Sequence, residues 1–185
     1  MAEALPLGAP AHGEVAAVVG VQSALASRPA ALTIAQGLSH IGEHSIGWLA
    51  ISALGAIVSP RRRRDWMVAG AGAFAAHAAA VLVKRVVRRR RPHHPAVVVN
   101  VGTPSQLSFP SAHATSTTAA AILMSRALGL PEGIGAAVLV PPMALSRILL
   151  GVHYPSDVAA GIVLGATVAT VVARLDVRLQ RGMSV

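Results

Sequence analysis

The chain has 185 residues, 54% of them hydrophobic and 12% charged, with a mean hydropathy of +0.60 and a net charge of +9, which is too apolar for an ordinary water-soluble domain and points to a bilayer as its solvent. Nucleic acid is the usual partner of so basic a chain, but the arginines gather at the ends of apolar runs rather than along a polar face, so that role is set aside. The absence of cysteine removes disulfides, thiolate metal sites and thiol nucleophiles, and the 7 acidic residues (Glu3, Glu14, Glu43, Asp65, Glu132, Asp157 and Asp176) are too scattered to surround the ions of a two-metal phosphatase, so no metal or cofactor is expected.

Residues 1–13 lack the basic start and apolar core of a secretory signal, so insertion is expected to depend on the spans themselves. Residues 14–38 alternate apolar and polar positions at helical spacing and break at Ser27, Arg28 and Pro29; they read as one or two helices lying in the membrane interface. Because lipid offers the backbone no hydrogen-bond partners, spanning segments must be helical and roughly 17–25 residues long. Five runs approach that length, at about 42–59, 66–83, 112–129, 133–150 and 157–174, each rich in the small residues that let membrane helices approach closely. The expected fold is therefore an all-α polytopic bundle. Its domain organisation is a tail with interfacial helices over 1–40, one membrane domain over 41–176 and a short tail over 177–185. Pro141 and Pro142 fall inside the fourth run and should kink it.

The longest polar connection, from Arg85 to Phe109, carries Pro92, Pro95 and Pro104 and reads as a loop at one membrane surface. Threading the spans alternately puts this loop on the same side as residues 151–156, and three groups of reactive side chains collect there. They are Lys84 with Arg91 and Pro92; Pro110-Ser111-Ala112-His113 at the start of the third span; and Ser146-Arg147 followed by His153 and Asp157. Lys84, Arg91 and Arg147 suit a dianionic phosphoryl group, arginine through its planar fork of donors. A helix start at Ser111 and Ala112 offers free N–H groups to the same anion. Asp157, one turn beyond His153, can hold one ring nitrogen and leave the other unprotonated as a nucleophile, with His113 as acid and then base. Each residue alone has an ordinary structural alternative; the conjunction points to phosphoryl transfer.

These three groups, in this order and spacing, resemble the tripartite signature of the type-2 phosphatidic acid phosphatase family, over about residues 40–175. The resemblance implies a membrane helix bundle, a phosphohistidine intermediate on His153, acid–base work by His113, support from Asp157 and phosphate binding by Lys84, Arg91, Ser111, Ala112 and Arg147. Ala112 departs from the family's usual glycine, a small change if that backbone is helical. Within the family, the run Gly42-Glu43-His44-Ser45-Ile46-Gly47-Trp48 and the stretch 103–116 are similar to a branch of small actinobacterial enzymes that dephosphorylate decaprenylphosphoryl-5-phosphoribose, a step towards cell-wall arabinan. A broader lipid phosphatase acting on polyprenyl pyrophosphate, phosphatidate or phosphatidylglycerol phosphate has the same residues in the same roles. The family's vanadate haloperoxidase relatives are generally larger and soluble, and a non-enzymatic membrane protein is disfavoured because every charged residue of the signature is present.

His40 and His44, one helical turn apart, are candidates with Glu43 for a headgroup contact, the alternative being a structural role. His93 and His94 are candidates for a sugar or second phosphate, whereas His77, on the helix face of Lys84, is expected to point into the bundle without taking part in the reaction. Basic residues tie between the two membrane sides until Lys84, Arg91 and Arg147 are set aside as phosphate ligands. The positive-inside rule then puts the arginines of 61–64 in the cytoplasm and the site outside the plasma membrane. The expected partners are a lipid-linked phosphate and the surrounding lipids.

Overall fold

The computed structural model describes residues 11–131 and 133–183. The first part of the expected N-terminal tail, the last two residues of the C-terminal tail, Glu3 and Glu132 lie outside the described residues. Among the described residues seven α-helices follow in chain order: α1 (Gly13–Leu25), α2 (Pro29–Gly42), α3 (Ile46–Val58), α4 (Arg63–Val87), α5 (Ala112–Leu128), α6 (Ile134–Leu149) and α7 (Pro155–Met183). Among the described residues the only strand-like pairing is a single bridge between Arg90 and Leu107 in the long loop. The protein is an all-α membrane bundle.

Proline sets the first boundary. Pro29 occupies the first turn of α2, where its missing N–H costs nothing, and biases Arg28 to the extended conformation that separates α1 from α2. Both helices lie across the end of the bundle that holds the long loop. Gln22 of α1 donates to Val98 O (2.6 Å) and Leu149 O (3.0 Å), and Ala35 of α2 packs with Leu149, Leu150 and Val152. The stretch Pro29–Val58 is long and apolar enough to cross a membrane, as are Pro60–Val87 and Pro155–Gly182. The first of these is not one straight rod, because His44 (φ 49°) and Ser45 (φ 62°) interrupt it between α2 and α3.

α5 and α6, at 17 and 16 residues, are shorter than the spans expected for them, about 25 Å of rise each. α5 fits because it is the centre of the bundle, packed by α4, α6 and α7 and buried along most of its length. Three of its hydroxyls are satisfied within the helix, Thr115 Oγ1 on Ser111 O, Thr118 Oγ1 on Ala114 O and Ser125 Oγ on Ala121 O, each at 2.8 Å, whereas Thr117 Oγ1 has no partner among the described residues. Against it, α7 presents Gly161 and Gly165, four residues apart. A Cβ at Gly165 would stand 2.3 Å from Thr115 O and one at Gly161 2.7 Å from Ser111 O, so backbone meets backbone here only because side chains are absent. α6 runs through Pro141 and Pro142 as one unbroken helix rather than two.

The far end of the bundle is closed by charge. Asp176 of α7, 5% exposed, accepts from Arg64 Nε (2.8 Å) and from Arg126, which also reaches Asp65 at 3.3 Å. A buried carboxylate with two guanidinium partners is affordable where a lone one is not.

Candidate active site

A cavity of about 370 Å³ opens at the loop-bearing end of the bundle. Six of the eight residues expected to carry the reaction or bind phosphate line it, Lys84, Arg91, Ala112, His113, Arg147 and His153, together with His40, Glu43, His44 and His77. The six come from the last turn of α4, the loop, the start of α5, the last turn of α6 and the α6–α7 connection, so the bundle brings together what the chain keeps far apart.

The three cations are anchored by neutral groups. Lys84 Nζ donates to Ser108 O (2.8 Å) and Leu107 O (3.1 Å). Arg91 donates through Nε to Ser105 O (2.9 Å) and through Nη1 to Val152 O (2.7 Å). Arg147, 2% exposed, donates through Nε to Ser146 Oγ (3.1 Å), through Nη1 to Ser39 Oγ (3.1 Å) and through Nη2 to Ala35 O (3.5 Å). Among the described residues none of the three has a carboxylate partner within ion-pair distance, so the cavity holds a concentrated positive charge matched to an anion. Burial pulls the Arg91 guanidinium down to about 10, still protonated at neutral pH, with the Asp157 carboxylate opposing the fall.

His153 is 3% exposed. Its Nε2 lies 3.3 Å from Arg91 Nη1, and since a guanidinium only donates, Nε2 is the unprotonated nitrogen and Nδ1 carries the hydrogen. Nδ1 faces Asp157 Oδ2 at 3.5 Å, long for a hydrogen bond, and has no hydrogen-bonded partner among the described residues. Burial, reinforced by the positive charges of Arg91 and Lys84 and opposed by Asp157, drives the imidazole down to about 3, so the ring is neutral. His113 donates from Nε2 to Ser39 O (3.0 Å), which can only accept, so its Nδ1 is the nitrogen left to exchange a proton.

Asp157 is fully buried and multiply held. Oδ2 accepts from Tyr154 N (2.9 Å) and Oδ1 from Arg89 Nη1 (2.9 Å), while its backbone carbonyl accepts from Ser111 N (2.9 Å). Arg89 in turn donates from Nη2 to Glu14 Oε2 (2.7 Å) and lies over the Tyr154 ring at 4.1 Å, and Glu14 Oε1 accepts from Ser156 N (2.7 Å). For Glu14 burial acts upward, but the Arg89 and Ser156 hydrogen bonds outweigh it and hold the carboxyl below its ordinary range.

Some of the expected residues stand apart from the cavity lining. Ser111 is one: its hydroxyl caps α5 by accepting from Ala114 N (3.4 Å), and its own N–H is committed to Asp157 O, so it ties the start of α5 to Asp157. His93 and His94 also stand outside the cavity lining, and His94 Nδ1 accepts from Ala96 N (3.2 Å). Ala112 begins α5 in helical conformation, so its methyl group meets no backbone obstacle. The sequence did not reveal Ser39, Arg89 or Glu14. Arg89 read as one more interfacial arginine in the run 88–91, and nothing in the local pattern links Ser39 or Glu14 to residues some 70 to 140 positions away.

The match to known proteins agrees with this geometry. The model of the PAP2 superfamily matches residues 65–181, the stretch that contributes all of these groups except those of α1 and α2. Decaprenylphosphoryl-5-phosphoribose phosphatase of Mycobacterium tuberculosis (strain CDC 1551 / Oshkosh) is 70% identical over 172 residues, 93% of each chain. The protein of the same name from Mycolicibacterium smegmatis is 63% identical over 150 residues, 81% of this chain and 82% of that one. In fold, the chain is similar to a transmembrane PAP2-type phosphatidylglycerolphosphate phosphatase from Bacillus subtilis, with TM-score 0.67 and 20% identity over 88% of this chain and 86% of that one. It is also similar to a bacterial vanadium-dependent iodoperoxidase, with TM-score 0.66 and 19% identity over 91% of this chain and 52% of that one. With its signature residues gathered on one cavity and more than half its length matched by the family model, the chain belongs to the PAP2 superfamily.

Proposed function

We propose that the protein is a phosphoric monoester hydrolase of the plasma membrane that removes the terminal phosphate of decaprenylphosphoryl-5-phosphoribose through a phosphohistidine on His153, without a metal ion. The observation that carries the chemistry is the set of three cations, Lys84 and Arg147 buried and Arg91 partly so, each without a carboxylate in ion-pair distance among the described residues, around a neutral histidine whose Nε2 lone pair faces Arg91. The relatives at 70% and 63% identity, named for that substrate, support the choice of lipid.

The phosphoryl group binds between Lys84, Arg91 and Arg147, taking over the Arg91 donor that now faces His153. Nε2 attacks phosphorus as the bond to the leaving ribose oxygen breaks, and His113, carrying on Nδ1 a proton taken up as the phosphate dianion binds, delivers it to that oxygen. The His153 ring becomes cationic, and Asp157 on the Nδ1 side stabilises it, as the carboxylate of a serine-hydrolase triad does for its histidine. The guanidinium forks meet the charge spread over the equatorial oxygens. Water then attacks the phosphohistidine while His113 Nδ1 accepts its proton. The P–N bond breaks, inorganic phosphate leaves, and both histidines return to their starting state.

Phosphate release from a panel of lipid phosphates, by purified wild type and His153→Ala, tests this. The wild type should favour the polyprenylphosphoryl phosphoribose, and the variant should lose on the order of 10³-fold or more in kcat while melting normally. Activity within about tenfold of wild type would remove His153 from the chemical step. Vanadate should inhibit and EDTA should not; strong EDTA sensitivity would revive a metal-assisted route.

A further inference from the structure

The cavity has a second wall that the reaction does not use. It is built at the junction of α2 and α3, where His44 and Ser45 are two consecutive non-glycine residues at positive φ, a conformation L side chains adopt reluctantly and that persists where surrounding structure enforces it. The enforcement is visible: Ser45 is fully buried with its hydroxyl directed at Ala73 O (3.5 Å), and a Cβ on Gly47 would stand 2.5 Å from Ile41 O. The turn brings Glu43 and His44 onto the cavity wall with their side chains about half exposed, and sets the His44 ring 5.8 Å from that of His77 in α4. Arg85, one residue beyond Lys84, lines the same cavity without a carboxylate partner among the described residues. His77 Nδ1 is buried without a hydrogen-bonded partner among them.

We infer that Glu43, His44, His77 and Arg85 form a second, non-reacting subsite that takes the ribose hydroxyls and the phosphodiester of a substrate carrying two phosphates, and so sets substrate choice. This rests on the substrate read above. A prenylphosphoryl ribose 5-phosphate presents two anions separated by one sugar, and Lys84, Arg91 and Arg147 account for only the reacting one. Arg85 supplies the second cation, as a planar donor fork for the phosphodiester oxygens. Glu43 supplies the acceptor that neighbouring hydroxyls need, and the two imidazoles can donate or accept across the sugar. A cavity of about 370 Å³ lies within the range that encloses small ligands, enough for the polar head while the prenyl chain stays in lipid.

Glu43→Gln, Arg85→Ala, His44→Ala and His44→Asn separate this subsite from the catalytic centre. Two readouts are needed: kcat/KM on a polyprenylphosphoryl-5-phosphoribose, and the inhibition constant of orthovanadate, which fills only the reacting-phosphate position. Glu43→Gln, Arg85→Ala and His44→Ala should each lower kcat/KM on the ribose lipid about tenfold, with vanadate inhibition within twofold of wild type. His44→Asn, which tolerates positive φ, should lose kcat/KM on the ribose lipid to the same extent as His44→Ala, so that the loss belongs to the imidazole and not to the turn; activity equal to wild type would remove the His44 ring from the subsite. Loss of both readouts in parallel would place these residues in the catalytic centre, and no loss in either would make them bystanders; each outcome overturns the subsite alone. Wild type that hydrolyses phosphatidate with the same kcat/KM as the ribose lipid would overturn the substrate reading, and the subsite with it.

Discussion

His153 owes its readiness to burial more than to its aspartate. An imidazole at 3% exposure among three cations is expensive to protonate, and the 3.5 Å separation from Asp157 recovers only part of that cost. The consequence is readable as stability. Free histidine titrates near 6.5, and the folded group near 3. Above 6.5 neither the folded nor the unfolded chain binds a proton at this position. As pH falls from 6.5 towards 3, the unfolded chain takes one up and the folded chain does not, so stability declines with falling pH. Between pH 7 and pH 5 this single group should cost about 2 kcal/mol. Denaturant unfolding in detergent at those two pH values, for wild type and His153→Gln, isolates it: the stability of wild type relative to the variant should fall by that amount on acidification. An unchanged difference would mean that the buried ring is already paired as a cation.

At the scale of the element, α2 helps to build the cavity. The backbone carbonyl of Ser39 fixes the tautomer of His113, and its hydroxyl receives one arm of Arg147, so one residue outside the region matched by the family model holds two cavity groups from two different helices. Ser39→Ala removes only the hydroxyl. The Arg147 fork loses a buried acceptor, a change of roughly 1.5–3 kcal/mol for a bond to a charged group, so KM and the vanadate inhibition constant should rise at least tenfold. kcat should change much less, because the carbonyl to His113 remains, and Ser39→Thr should restore binding. A fall in kcat with unchanged KM would instead make Ser39 a partner of His113 alone. The cavity cations and histidines could be read from the chain because each motif is local and chemically explicit. So could the boundary between α1 and α2, from Pro29. Ser39, and the Glu14–Arg89 link to Asp157, could not, because they depend on how α1 and α2 fold back over the end of the bundle, which no spacing encodes. The same limit applies to α5: an apolar run of the right length reads as a lipid-facing span, whereas its self-satisfied hydroxyls mark it as the shielded centre.

The whole molecule has two unlike polar ends. One holds the cavity, where Lys84, Arg91 and Arg147 have no carboxylate partner among the described residues; the other carries the arginines of 61–64 together with the Asp176 cluster, in which Arg64 and Arg126 are paired. The positive-inside bias acts on basic residues flanking the spans as the chain inserts, and cations held in a folded site for substrate are a separate functional demand. With Lys84, Arg91 and Arg147 discounted on that ground, we propose that the arginine-rich far end faces the cytoplasm and the cavity the outside. The natural absence of cysteine makes the test clean. Ala96→Cys places a single thiol in the exposed loop at the cavity end, and Leu130→Cys places one in the exposed turn between α5 and α6 at the other. In intact cells a membrane-impermeant maleimide should label Ala96→Cys at once and Leu130→Cys only after the membrane is opened. The reverse pattern would turn the protein over, and the phosphoribose lipid would then have to be dephosphorylated at the inner leaflet, with the loop arginines held by anionic headgroups instead.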